Sequence, residues 1–381
     1  MKILTNVQTS YLAGIGQAFL SLLKGLEKDY SRQIKIIGVK ITSDPNVSEK
    51  GIYDNNKINN FKLLSINGEK LPGFGEVIKK AEGINDLKNN YEELIENYRK
   101  LITKESPDLV LINGTYYVPW CLYIAAKDTK IPIILHYHGI LSKEVSHWEE
   151  KPRLIMNEME RNFDNDRLFY LFPSELARNA VEQEVFGHQI YKSAVIPNPI
   201  PDHFFKVKLV GDKKNIGFVG RWSKIKNPDF IKKMVNFSYK KGDKYKFNLV
   251  TSKKEFKKEI KKHLKNVNFF EPMKSRLLAK FYEKMGVVIS PSYFETYGNV
   301  AQEAIASGTP ALVSSNMGVT ETYKKLGLED WILDFSSVAG VYKKIEEVSG
   351  SEVSEKIRQN LKEIVSENVI SSRMIKVFKS L

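Results

Sequence analysis

The chain predicts an α/β protein built as two consecutive doubly wound domains. Two observations carry this: short apolar runs alternate with helical periodicity, and they fall into two sets of six separated by a proline-rich stretch. The first set is Lys2–Thr5, Ile34–Val39, Leu109–Ile112, Ile131–Leu135, Phe169–Phe172 and Ala194–Ile196. The second is Ile216–Val219, Phe247–Val250, Val267–Phe270, Val287–Ile289, Ala311–Val313 and Trp331–Leu333. Continuous apolar strands with helices between them mark parallel sheets covered on both faces. At 381 residues the chain is also too long for one ordinary core.

The separator is Val195-Ile196-Pro197-Asn198-Pro199-Ile200-Pro201. Its prolines stop regular structure and stiffen a linker. The expected domains are 1–198 and 204–367, followed by a short amphipathic helix at about 368–381. Between 84 and 102, Ile84, Leu87, Tyr91, Leu94, Ile95, Tyr98, Leu101 and Ile102 recur at three- and four-residue steps. That spacing predicts one long helix with a single apolar stripe. No short-period repeat is present.

Composition is that of a globular protein, 42% hydrophobic and 27% charged. No apolar run approaches a membrane span. The start, Met1-Lys2-Ile3-Leu4-Thr5, enters strand text without the features of a secretory signal. The single cysteine, Cys121, cannot form an internal disulfide and reads as packed helix interior. Together these lead to the expectation of a cytoplasmic protein, with peripheral contact at the inner face of a membrane as an option. Residues 1–200 hold 25 Lys/Arg and 25 Asp/Glu, whereas 201–381 hold 34 and 20, so the whole net charge of +14 lies in the second half. Such a field attracts phosphates or an anionic membrane surface. Few aromatics interleave the Lys-rich text at 252–262, as a base-stacking platform would need, so nucleic acid is not an expected partner.

The richest segment begins with the strand run Gly286–Ser290. It continues through a turn with Glu295 and Gly298, a helix with Glu303, a stop at Gly308, and a further strand run at Ala311–Ser314. A helix opened by such a turn points free N–H groups at whatever sits there. Two carboxylates flank that anion-friendly spot, and carboxylates are acceptor-only groups suited to diols. The ligand implied carries both a diphosphate and hydroxyls. A second segment, Gly217-Phe218-Val219-Gly220-Arg221-Trp222-Ser223-Lys224-Ile225-Lys226-Asn227, ends a strand at Gly220 and places cations at once after it. Arg221 offers a planar fork to two phosphate oxygens, and Lys226 adds a point charge. His138, in Leu135-His136-Tyr137-His138-Gly139, ends another strand at the sheet edge where open α/β sheets bind ligands. His136, deeper in that strand, reads as structural. Gly14-Ile15-Gly16 opens a helix after the first strand and would let backbone approach a ligand closely. No Asp-x-Asp pair precedes the nucleotide-type site, so no metal is expected there, and no nucleophile is evident.

These residues resemble the signature of the retaining GT-B nucleotide-sugar glycosyltransferases, the large group whose two glutamates are separated by seven residues. Glu295 and Glu303 stand at that spacing, followed by the continuation Ala304-Ile305-Ala306-Ser307-Gly308-Thr309-Pro310. Arg221 and Lys226 have the family's five-residue spacing. The resemblance implies a GT-B fold, two Rossmann-like domains facing a central cleft, with the C-terminal helix returning to the first. It implies that the first domain binds acceptor and the second the nucleotide-sugar. Arg221 and Lys226, with Lys224 as a neighbour, would contact the donor diphosphate after Gly220. Glu303 would accept from ribose hydroxyls, Glu295 would orient the donor sugar, and the N–H groups of Gly298, Asn299 and Val300 would bind phosphate or sugar oxygens. His138 would face the donor sugar, Gly14 and Gly16 would line the cleft, and the loop at Phe270 would contact the base. Glu321 is read as structural or capping. The catalytic set implied is Glu295, His138, Arg221 and Lys226. Two positions depart from the pattern: Pro199 and Glu271 stand where the family has Gly.

The function so implied is transfer of a hexosyl or N-acetylhexosaminyl group from a nucleoside-diphosphate sugar, UDP being the expected nucleotide, to an acceptor hydroxyl with retention. No cofactor beyond the donor is expected. The acceptor class is a glycan or lipid-linked glycan of the cell surface. The alternatives are a GT-B phosphorylase or nucleotide-sugar epimerase, and a polyanion- or membrane-binding protein.

Overall fold

The computed structural model describes residues 1–7, 14–42, 61–207, 212–242, 244–252 and 266–381. The chain forms two compact units, Met1–Ile196 together with Ser371–Leu381, and Pro197–Ile370.

The first unit carries β1 (Lys2–Asn6), β2 (Lys35–Thr42), β3 (Phe61–Asn67), β4 (Leu109–Asn113), β5 (Ile133–His136), β6 (Leu168–Phe172) and β7 (Ser193–Val195). They form one parallel sheet in the order β3-β2-β1-β4-β5-β6-β7. β4 and β5 are buried along their whole length, as strands covered on both faces must be. The helix Tyr117–Ala126 is apolar almost all round and buried over most of its length. Cys121 lies inside it, fully buried, and burial pushes its thiol well above the usual range. The helix Glu367–Ser380 ends the chain, and Lys379 donates to Gln33 at 2.8 Å within this unit.

Three expectations are corrected here. β3 is an additional strand; Phe61, Leu63 and Leu64 are only half-buried, so its apolar signal is weak. The stripe at 84–102 belongs to two helices, Ile84–Asn90 and Glu92–Glu105, rather than one. Tyr91 breaks them with φ −111° and ψ 16°, its ring fully buried and its hydroxyl donating to the Pro72 carbonyl at 3.3 Å. β5 ends at His136, so His138 lies beyond the strand and His136 is its last residue.

The second unit carries β8 (Asp212–Val219), β9 (Lys246–Val250), β10 (Val267–Phe270), β11 (Met285–Ser290), β12 (Ala311–Ser314) and β13 (Ile332–Leu333). Their parallel order is β10-β9-β8-β11-β12-β13. Two apolar clusters hold this unit, one around Phe204, Tyr282, Ile305 and Tyr323, the other around Phe218, Phe247, Met234 and Ile345. Arg358 is buried, and its guanidinium donates to the carbonyls of Phe205, Val207 and Ala306 at 2.7, 2.9 and 3.0 Å. The Lys-rich text at 253–265 lies outside the described residues.

In each sheet the strand order reverses between two central neighbours, β1 and β4 in the first unit, β8 and β11 in the second. Loops leaving the carboxyl ends of such strands diverge and open a crevice for ligands. After β8 come Gly220 and Arg221; after β11 come Pro291 to Glu295.

Candidate active site

The two loops at the reversal point of the second sheet are tied together. The Tyr293 N–H donates to the Ile225 carbonyl at 2.8 Å. After β8, Gly220 donates its N–H to Val250, the Arg221 side chain stands exposed, and a 3₁₀ turn covers Lys224–Lys226. Asn227 then adopts φ 54° and caps the helix Pro228–Lys240, its side chain accepting from the Phe230 N–H. Asparagine tolerates that left-handed geometry and proline suits the first helical position. The cap therefore fixes where Lys226 leaves the chain.

Lys226 Nζ lies 2.9 Å from Glu295 Oε1. The pair is largely enclosed, with side chains 20% and 13% exposed. Glu295 Oε1 also accepts from the Ser292 hydroxyl at 2.6 Å. The backbone of Glu295 bridges to Met317: its N–H donates to Asn316 and its carbonyl accepts from Gly318, both at 3.1 Å. Both the carboxylate and its backbone are thus held in place.

Gly298 follows with φ 118°, a conformation only glycine takes readily. A Cβ there would sit 2.7 Å from Met317 Cε. This glycine opens the helix Asn299–Ala306, whose first N–H groups have no acceptor within the helix. Gly308, with φ 87°, follows its last turn. Asn198 clamps the helix start: it donates to Asn299 Oδ1 at 2.8 Å, and its carbonyl accepts from the Gln302 amide at 3.2 Å.

Glu303 lies on this helix and keeps part of its surface open. Tyr282 donates to its Oε2 at 3.1 Å. Burial nonetheless pushes the carboxyl up to about 8, more than the tyrosine hydrogen bond lowers it. Near neutral pH the group therefore retains its proton, and it can both donate to and accept from a diol. Phe270 ends β10 with 38% of its surface exposed and its ring against Phe281, 5.6 Å between centroids. Glu321 sits in the first turn of the helix Thr320–Leu326, where a negative charge suits the helix dipole.

His138 and Gly16 are both in the first unit and buried, and Gly14 opens the helix Gly14–Tyr30 there. The rings of His136 and His138 lie 4.0 Å apart. Burial pulls both imidazoles down, His136 to about 4 and His138 well below the usual range, so both are neutral at pH 7. At the reversal point of this sheet Asn6 and Asn113 exchange two hydrogen bonds, 2.8 and 2.9 Å, tying the ends of β1 and β4.

Structure brings Lys226 and Glu295 together and sets Gly298, Asn299, Val300 and Glu303 on or at one helix. Sequence reasoning missed Ser292, Tyr282, Asn198 and Gln302. Ser292, three residues before Glu295, was open to inference; Tyr282 and Asn198 are far from their partners along the chain. Among the described residues, no group of three or more His, Cys, Asp or Glu is placed to hold a metal ion.

In the second unit the sheet order reverses beside a cation–carboxylate pair and a glycine-opened helix. Residues 199–367 match the family model described as glycosyl transferases group 1, and 77–204 that of glycosyltransferase family 4. The chain belongs to the GT-B glycosyltransferases. An uncharacterized glycosyltransferase of Methanocaldococcus jannaschii is 49% identical over 47 residues, 12% of this chain and 12% of that relative's length. The fold superposes on sucrose-phosphate synthase of Thermosynechococcus elongatus with a TM-score of 0.78 at 14% identity, over 100% of this chain and 98% of the other. It superposes on WaaG, a glycosyltransferase involved in lipopolysaccharide biosynthesis, with a TM-score of 0.66 at 11% identity, over 99% of each chain.

Proposed function

We propose that the protein transfers a hexosyl or N-acetylhexosaminyl group from a nucleoside-diphosphate sugar, UDP by preference, to an acceptor hydroxyl with retention of configuration. The observation that carries this reading is the enclosed Lys226–Glu295 pair beside the helix opened by Gly298. In this reading Arg221, Lys226 and the N–H groups of Gly298, Asn299 and Val300 receive the diphosphate. Negative charge grows there as the glycosidic C–O bond breaks, so fixed cations favour the transition state over the ground state. Lys226 then serves two anions, the phosphate and Glu295, whose carboxylate orients sugar hydroxyls. Glu303 holds the ribose diol and Phe270 contacts the base. His138, a neutral imidazole, is assigned to the donor sugar by the family resemblance. The departing phosphate takes the acceptor proton on the same face. Protein cations meet the diphosphate charge, so turnover should persist in EDTA.

The acceptor proposed is a cell-surface glycan or lipid-linked glycan. WaaG's role in lipopolysaccharide synthesis and the basic second half support this class, with peripheral contact at an anionic membrane. The test is turnover against a panel of UDP-, GDP-, ADP- and dTDP-sugars, with the winner repeated in Glu295→Ala and Lys226→Ala. Unchanged turnover in both variants would remove the site from the chemistry.

A further inference from the structure

The loop that follows β5 carries His138 and then turns into the short helix Leu141–Glu144. Three contacts hold it. The Thr115 hydroxyl donates to the Gly139 carbonyl at 3.4 Å. The N–H groups of Leu141 and Ser142 donate to the two oxygens of one carboxylate, Glu160 Oε1 at 2.9 Å and Oε2 at 3.0 Å. Glu160 stands on the helix Glu150–Arg161 and is completely buried. A buried carboxylate is costly unless its oxygens are satisfied. Here each oxygen is matched to one of two successive backbone donors, a fit that a single amide oxygen cannot reproduce.

We infer that Glu160 is a positioning residue for His138: it grips the loop three and four residues beyond the imidazole and fixes where the ring stands. This rests on the proposed role of His138 at the donor sugar. The groups facing Glu160 are the two N–H donors, the Ser142 hydroxyl and, at longer range, the Glu144 carboxylate on the gripped helix and the Tyr137 hydroxyl. Burial raises Glu160 to about 7 against the lowering effect of the two N–H bonds.

The test is a double-mutant cycle of Glu160→Gln and His138→Ala, measured as donor turnover, with melting temperature followed in every variant. Glutamine keeps the shape but turns an amide N–H toward one of the two donors. In the wild-type background, Glu160→Gln should lower kcat by about 10- to 100-fold, as a misplaced reacting group does, and leave the donor KM unchanged. In the His138→Ala background the same substitution should cost nothing further, because the residue it positions is gone. An equal loss in both backgrounds, or an unchanged kcat in the wild-type background, would overturn the assignment. Glu160→Asp, which keeps the charge and shortens the reach, is carried through the same cycle so that a poorly folding Gln variant does not decide the outcome. Wild-type turnover and its loss in Lys226→Ala report on the transferase reading separately, since Lys226 touches none of these groups.

Discussion

Replacing Lys226 by Met removes the cation from Glu295 while keeping most of the stem. The carboxylate, only 13% exposed beside the lysine, is then left with the Ser292 hydroxyl at 2.6 Å as its nearest remaining donor. A hydrogen bond to a charged group contributes roughly 1.5–3 kcal/mol. Breaking a fully buried pair costs about 3–5 kcal/mol, but this pair keeps some solvent contact, so the lower range applies. For a unit of 150–250 residues, each kcal/mol moves the melting temperature by about 2–4 °C, so Lys226→Met should lower it by about 3–12 °C. Glu295→Gln in the Lys226→Met background should cost much less than in the wild type, because the partner charge is already absent. The same cation is assigned to the leaving diphosphate, so kcat for the best donor should fall at least 10-fold. Differential scanning calorimetry and a coupled nucleotide-release assay read both quantities. Additive melting shifts would refute the pair as an energetic unit, and an unchanged kcat would refute its place in the chemistry.

The Gly298→Ala substitution should destabilise the protein by more than about 1 kcal/mol, since alanine must take φ 118° and its Cβ meets Met317 Cε at 2.7 Å; thermal melting checks this. Glu303 titrates at about 8 in the folded chain against an ordinary value of 4.5. Its contribution is fully present below pH 4.5 and is lost as pH rises through 8, at up to about 1.4 kcal/mol per pH unit. Glu303→Gln should therefore gain stability relative to wild type on going from pH 4.5 to pH 8.5, and chemical denaturation at both pH values measures the difference. Ribose hydroxyls that donate to Glu303 favour its charged form. UDP binding at pH 7.5 should thus release protons, seen as a calorimetric heat that varies with buffer, whereas the 2′,3′-dideoxy analogue should release fewer. His136, pulled down to about 4, contributes stability above pH 6.5 that is lost as pH falls through 4; His136→Phe should lessen that acid loss in denaturation curves.

Much of this was legible in the chain because the physics is local. β4, β5 and β11 are buried on both faces, so they read as unbroken apolar runs. The turn at Gly298 and the cations after Gly220 follow strand ends directly, so sequence alone placed them near a ligand edge. What stayed hidden depends on distant contacts. Lys226 reaches Glu295 because β8 and β11 are neighbours in the sheet, a pairing that spacing along the chain cannot express. Tyr282 meets Glu303 across 21 residues of chain, and Asn198 meets Asn299 across 101. The break at Tyr91 was missed because an apolar stripe runs through it unchanged; the backbone bends there while the ring stays in the core. Glu160 gave no sign at all, since a lone glutamate in helix text looks like a solvated face until its burial is seen.

The site is tested most directly by a crystal structure of the protein with a non-transferable UDP-sugar. The diphosphate should lie within hydrogen-bond distance of Arg221, Lys226 and the N–H groups opening the Asn299–Ala306 helix, with the ribose diol on Glu303. A nucleotide bound elsewhere, with Lys226 and Glu295 still paired and touching none of it, would contradict the assignment.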